Sequence, residues 1–294
     1  MTSLLVLGRQ GQVARALAEA DWPDGVRLEC LGRESIDLED APVAAAAIER
    51  RGPALVINAA AFTAVDLAES EQAAAFALNR DAPASIAAAC ARLGIPLVHL
   101  STDYVFDGRK HSAYVEDDPV NPLSIYGASK EAGERAIRAA LPSHVILRTS
   151  WVYAPAGRNF VLSMLARAER AESLRIVDDQ WGSPTAASEI ARAIVALSQR
   201  LLAGTGIFGT FHFCGLGATS WYGFAQEIFR LRGGAGPELA AIPTSAYPTP
   251  ARRPANSRLD AGKFQRLYGV SARPWRDSLA ECMAAIAARK DQGA

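Results

Sequence analysis

The order of apolar runs in this chain predicts an α/β fold with a doubly wound parallel sheet, and three observations carry that prediction. Strand-length apolar segments alternate with helix-length, alanine-rich ones through the first half. The strands are apolar at consecutive positions rather than at every second one, which means burial on both faces and helices covering each. A glycine-containing turn follows the first strand and leads straight into a helix. Sheets of this kind bind ligands beyond the carboxyl ends of their strands, so functional residues are expected there.

Taken in order, SLLVLG is the first strand and QVARALAEA the first helix. VRLECLG and PVAAAAIERRG form the second pair, ALVINAAA and the long stretch EQAAAFALNRDAPASIAAACARLG the third. IPLVHLSTDYVF and YGASKEAGERAIRAAL form the fourth, and HVILRTSWVYA closes the regular part. After Trp151 the rhythm loosens into a helix at NFVLSMLARAERAE, a strand and loop at LRIVDDQWGSPT, a helix at SEIARAIVALSQRLLAG and a strand at GIFGTFHFCG. WYGFAQEIFRLRG, the proline-punctuated PTSAYPTPARRPANSRLD and a helix near WRDSLAECMAAIAARK follow. The expected organisation is a Rossmann-like dinucleotide-binding domain over 1–150, to which about 188–215 returns. A smaller C-terminal α/β substrate domain is expected from 151–187 and 216–294.

Composition excludes several function classes. At 294 residues the chain can hold one large or two modest cores. Lys plus Arg number 31 and Asp plus Glu 31, so no global field draws it to nucleic acid or an anionic membrane. No segment reaches the ~20 apolar residues of a membrane span, and the first residues lack a basic leader and cleavage site; the expected location is the cytoplasm. Cys30, Cys90, Cys214 and Cys282 are too scattered for a disulfide framework or zinc site, and the four histidines show no metal spacing.

Two motifs carry chemistry. In the turn Gly8-Arg9-Gln10-Gly11-Gln12-Val13-Ala14, Gly8 permits the tight bend and Gly11 lets backbone approach a pyrophosphate at a helix amino terminus. At the end of the second strand, where an acidic residue would meet a ribose, stand Gly32 and Arg33. A guanidinium there suits a 2′-phosphate, so NADPH is expected ahead of NADH. Further on, Tyr126 and Lys130 lie four residues apart on one helix face. The lysine charge is expected to lower the phenol from its ordinary value near ~10 toward the range of acid–base catalysis.

With NAAAFTAVDLAES, STDYVF, YGASK, RTSWVY, DDQWGSPT and PTSAYPTPARRPANSRL in that order, the chain resembles the dTDP-4-dehydrorhamnose reductases from end to end. STDYVF and YGASK are shared across extended short-chain dehydrogenases; the other segments narrow the resemblance. It implies NAD(P)H-dependent reduction of the 4-keto group of a dTDP-sugar to dTDP-L-rhamnose. Carried over, it makes Tyr126 the acid, Lys130 its partner and ribose anchor, Thr102 the third member and Asp103 a helper. It places Gln12 and Val13 at the pyrophosphate, Asp37 and Leu38 at the adenine, and Ala61, Phe62 and Thr63 beneath the cofactor. Val65 and Trp151 would border the sugar, and Arg253 and Asn256 would hold the nucleotide end.

One departure concerns metal. Some relatives are described as magnesium-dependent through acidic residues meeting at a dimer contact, whereas here the corresponding stretches read Ala14-Arg15-Ala16 and Ala187-Ser188, with Glu189 beside them. Magnesium wants carboxylate oxygens, so no magnesium requirement is expected, and a monomer or weak homodimer is. Two rivals stand against the reductase. A nucleotide-sugar epimerase or dehydratase is one, although Thr102-Asp103-Tyr104 lacks the second acid usual after the threonine in such dehydratases. A non-catalytic NADP-binding regulatory subunit is the other, argued against by the intact Thr102, Tyr126 and Lys130.

Overall fold

A computed structural model of the chain describes residues 1–170, 173–234 and 236–292. Its first half runs β1 (Thr2–Leu7), α1 (Gln12–Ala18), β2 (Val26–Leu31), α2 (Ala41–Arg51), β3 (Leu55–Asn58), α3 (Val65–Ala68), α4 (Gln72–Phe76), α5 (Ala82–Leu93), β4 (Leu97–Thr102), α6 (Ile125–Ala140) and β5 (His144–Thr149). The rest comprises β6 (Val152–Tyr153), α7 (Phe160–Ala168), β7 (Ser173–Val177), β8 (Trp181–Gly182), β9 (Thr185–Ala186), α8 (Ala187–Leu202) and β10 (Gly209–His212). It ends with β11 (Thr219–Ser220), α9 (Trp221–Arg232), β12 (Glu238–Ile242), α10 (Gly262–Tyr268) and α11 (Trp275–Gln292). Of the ranges assigned above to the substrate domain, 171–172, 235 and 293–294 lie outside the described residues.

Six strands form one parallel sheet in the order β10-β5-β4-β3-β1-β2. Because side chains alternate along a strand, β1 sends Leu4 and Val6 to one face and Leu5 and Leu7 to the other. The first face meets Leu17 of α1 and Ile190, Ile194 and Leu197 of α8. The second meets Ile48 of α2, Ile86 of α5 and Ile137 of α6. Both layers the consecutive apolar strands demanded are therefore present. Proline in the first turn and a left-handed glycine after the last bound α2 and α5 (Gly52, φ 51°; Gly94, φ 65°).

The chain moves outward from β1 to β2 and then crosses to the other flank of β1 with β3. This reversal leaves a crevice beyond Leu7 and Asn58, the switch point at which such sheets bind ligands. The long helical stretch before β4 is not uniform: a π-helical turn, Ala77–Asp81, interrupts it between α4 and α5. A further core gathers Tyr153, Val161, Met164, Ile176, Phe224, Ile228, Trp275 and Leu279 from β6, α7, β7, α9 and α11. There β7 pairs in parallel with β12, Leu174 opposite Leu239.

Candidate active site

Helix α6 delivers the central side chains. Ser124 caps it by accepting from the Gly127 N–H at 3.2 Å. A side chain at Gly127 would collide with the Tyr104 carbonyl, and one at Gly133 with that of Asn79, so small residues let the helix press onto both segments. Tyr126, Lys130 and Glu134 follow at four-residue intervals and share one face. Glu134, fully buried, receives Arg148 Nε at 2.9 Å and Nη2 at 2.7 Å, and Ser101 Oγ at 2.6 Å. Burial pushes its carboxyl upward, but the Arg148 bonds and charge outweigh that and hold it below the usual range.

Lys130 is 2% exposed. Its Nζ donates to the Leu100 carbonyl at 2.7 Å and lies 3.2 Å from His99 Nε2. The far side of that ring meets Asn58 Nδ2 at 3.1 Å, while Asn58 Oδ1 accepts the Ala60 N–H at 3.1 Å. With the amide oxygen so engaged, the Asn58 amide nitrogen faces His99 Nδ1. Burial draws the lysine down to about 8, against the raising effect of the Glu134 charge. The expected acidification of Tyr126 by Lys130 is corrected by the direction of its own shift. The half-buried phenol is pushed up to about 12 by burial, against a Thr102 hydrogen bond and with the nearby Asp103 charge adding to the rise.

Thr102 ends β4, and its hydroxyl donates to Asp103 Oδ1 at 3.0 Å and accepts from Tyr104 N at 3.2 Å. Asp103 is buried with its Oδ2 taking no hydrogen bond. Burial lifts its carboxyl to about 7, against the lowering influence of Ser257 and Thr102. A buried acceptor left free beside a phenol and a hydroxyl is what a ligand hydroxyl or carbonyl group would complete.

At the dinucleotide end, Gly8 has φ 108°, and a Cβ there would lie 2.9 Å from Ala60 N; only glycine fits where the ends of β1 and β3 converge. Gly11 precedes α1, whose first turn has no side-chain cap. These features fit a dinucleotide. Gln12 is turned inward, bonding Val152 O at 3.4 Å and Asn159 Nδ2 at 2.9 Å. Val13 and Leu38 are core residues, so any ligand contact is limited to their backbone. Arg33 and Asp37 are exposed beyond β2; Asp37 Oδ1 accepts the Glu39 N–H at 3.0 Å. Ala61 and Phe62 are half-buried and Thr63 exposed. Asn79, in the π-helical turn, clamps Phe62 by accepting its N–H at 2.8 Å and donating to its carbonyl at 3.1 Å, and bonds Ser129 at 3.0 Å.

Val65 opens α3 and is half-buried. Trp151 lies between β5 and β6, its Nε1 donating to Ser257 Oγ at 3.2 Å and its ring stacked on Trp221. Arg253 lines a cavity of about 290 Å³ with Arg167, Arg175, Trp221 and Tyr247; its Nη2 donates to Asp66 Oδ2 at 2.8 Å. Asn256 departs from expectation. Its Nδ2 serves Lys110 O (2.6 Å) and Ser112 O (2.8 Å), and its Oδ1 serves Arg258 Nε (2.7 Å). The amide is spent tying two loops together, not turned toward a ligand.

His99, Asn58, Asn79, Glu134 and Ser257 were not singled out from the sequence. Glu134 had a signal, its four-residue step from Lys130; Ser257 had none, because a loop serine carries no periodicity. Glu189 is held by Arg192 at 2.5 Å and Arg273 Nε at 2.7 Å. Among the described residues no group of three or more His, Cys, Asp or Glu is placed to hold a metal, and no helix is long and apolar enough to cross a membrane.

Comparison with known proteins bears on this geometry. The family described as RmlD substrate binding domain matches residues 1–288. A dTDP-4-dehydrorhamnose reductase of Sinorhizobium fredii is 44% identical over 280 residues, 94% of each chain. Among solved structures, a dTDP-4-dehydrorhamnose reductase from Clostridium acetobutylicum superposes with a TM-score of 0.91 at 33% identity, covering 97% of this chain and 100% of that one. One from Bacillus anthracis, in complex with NADP, gives 0.90 at 30%, covering 97% and 99%.

Proposed function

The chain belongs to the dTDP-4-dehydrorhamnose reductases, and we propose that it reduces the 4-keto group of dTDP-4-dehydro-L-rhamnose to dTDP-L-rhamnose with NADPH. The product is a precursor of cell-envelope polysaccharides. The observation that carries this reading is the convergence of Tyr126, Thr102 and the free Asp103 oxygen at the end of β4. The Gly8 turn stands at the end of the same parallel sheet.

When bound, NADPH supplies the hydride that reduces the sugar carbonyl. Gly8, Gly11 and the backbone opening α1 would hold its pyrophosphate, and the Phe62 segment clamped by Asn79 would support it. Tyr126 gives its proton to the carbonyl oxygen. A phenol raised to about 12 stays loaded through the neutral range, the state a reduction needs at its outset. The Thr102 hydroxyl hydrogen-bonds the same oxygen as charge develops there. Lys130, held by Leu100 and His99, keeps the floor of the site polar and in register. Asp103 Oδ2 takes a sugar hydroxyl, and Trp151 borders the ring. Arg253, with Arg167 and Arg175 beside it, meets the diphosphate.

Arg33, exposed beyond β2, favours the 2′-phosphate, with NADH as the weaker alternative; Arg33→Ala should cut the NADPH preference by about tenfold. Glu189, already bonded to two arginines, supports turnover without magnesium. We infer a cytoplasmic monomer or weak homodimer acting on a free dTDP-sugar. The test is NADPH oxidation with dTDP-4-dehydro-L-rhamnose in the presence of EDTA and identification of the sugar formed. Stoichiometric dTDP-L-rhamnose is expected; no oxidation, or protein purified with tightly held NAD that it never releases, would overturn the reading.

A further inference from the structure

Trp151 reaches the site in a conformation that its neighbours must impose. Among the described residues it is the one non-glycine with positive φ, 48°, a strained region for a bulky side chain that persists only where the surroundings over-determine it. Three neighbours do so. Ser257, itself 1% exposed, accepts from the indole Nε1 at 3.2 Å and donates to the Trp181 carbonyl at 3.4 Å. Gly182 in β8 lies so close to the indole edge that any Cβ there would collide with it. Trp221 covers one face of the ring, with centroids 3.5 Å apart and planes 3° from parallel.

Trp221 is well placed to act as a fixed plate. It is the first residue of α9, capped by Ser220, which accepts the Gly223 N–H at 3.0 Å and also bonds Asp178. Phe160 packs against it at 4.7 Å and 46°. Its ring also lines the arginine-bearing cavity. The two indoles thus form one wall, with Trp151 anchored by the buried Ser257 and Trp221 facing the cavity of Arg167, Arg175 and Arg253. Stacking on Trp221 leaves Trp151 one face at most for a sugar, so the orientation of that face depends on the plate behind it.

We propose that Trp221 is a positioning residue for the reduction, holding Trp151 at the sugar while continuing the same wall toward the nucleotide diphosphate. The inference rests on the function proposed above, in which Trp151 borders the sugar. Two stacked indoles couple their electronic transitions, so the pair should give a circular-dichroism couplet that Trp151→Ala and Trp221→Ala each abolish. Trp221→Ala should raise KM for the dTDP-keto-sugar about tenfold, near the most that one stacked aromatic pair contributes. NADPH affinity should stay at the wild-type value, because the dinucleotide turn is built from other elements. Trp221→Phe, which keeps a flat apolar face, should recover most of the KM while still lacking the couplet.

Wild-type kcat and KM in Trp221→Ala would overturn the proposal, as would a Phe variant no better than Ala. An equal loss of NADPH affinity would mark the ring as merely structural and overturn it too. If the Ala variant does not fold, the Phe variant with Trp221→Leu as its non-aromatic counterpart decides the matter by the same two constants. A wild type inactive on this sugar would instead count against the proposed function, and the inference would fall with it.

Discussion

The floor beneath Tyr126 and the wall around Trp151 are built in opposite ways. Under Tyr126 the polar groups come from strand ends and one helix, and their partners are near in sequence: Arg148 lies 14 residues from Glu134, and His99 lies 31 from Lys130. They are buried, and each is bonded. Around Trp151 the partners come from far apart, Ser257 at 106 residues and the Asp66–Arg253 pair at 187. The Asp66–Arg253 pair is more open; Asp66 is 42% exposed at its side chain. On the function proposed above, the first region supplies a fixed geometry and the second meets the substrate.

Removing a charge from each side should sharpen this contrast. Glu134→Ala leaves Arg148 buried without its carboxylate, which should cost about 3–5 kcal/mol in a denaturant titration; a cost under about 1 kcal/mol would erase the distinction. Next in size, Arg253→Ala should raise KM for the sugar nucleotide by tenfold or more, the worth of about one charged hydrogen bond, and leave KM for NADPH unchanged. Steady-state kinetics with each substrate varied in turn would check it, and parallel rises in both constants would contradict it.

An effect of another kind, on the pH dependence of stability, concerns Asp103. Burial raises its folded pKa to about 7, whereas an unfolded aspartate titrates near ~3.9. Between those values the folded chain binds more protons than the unfolded one, so this group's contribution to stability falls as pH rises. Asp103→Asn removes that dependence. Its stability relative to wild type should climb from about pH 4 to about pH 7, measured by urea unfolding at stepped pH, and a flat difference would contradict the assignment. Smallest of all, Asp66→Ala breaks a partly exposed pair and should change stability by under about 1 kcal/mol.

The same contrast explains what the sequence made legible. Consecutive apolar strands and alanine-rich helices give the sheet and its two helical layers directly, because burial on both faces leaves a pattern in every strand. Tyr126, Lys130 and Thr102 are readable for the same reason: a helix period and a strand end locate them. The helix face of Lys130 is legible but its bonding is not, since its contacts with His99 and Leu100 depend on how β3 and β4 line up behind α6. The bonds of Asn256 could not be read, because a loop amide has four hydrogen-bonding sites and no periodicity to say where they go. The π-helical turn at Ala77–Asp81 left no trace either; the stretch reads as uniform helix, and it is the contact of Gly133 with Asn79 that marks its place. Pairs separated by more than a hundred residues, such as Trp151 and Ser257, lie beyond any local pattern.

The central claim is that Tyr126 delivers the proton to the sugar oxygen from a phenol kept loaded by burial. The most direct measurement is single-turnover reduction of dTDP-4-dehydro-L-rhamnose by Tyr126→Phe, with NADPH affinity determined on the same sample. A rate lower by about 100-fold or more with unchanged cofactor affinity is predicted. A rate within a few-fold of wild type would contradict it.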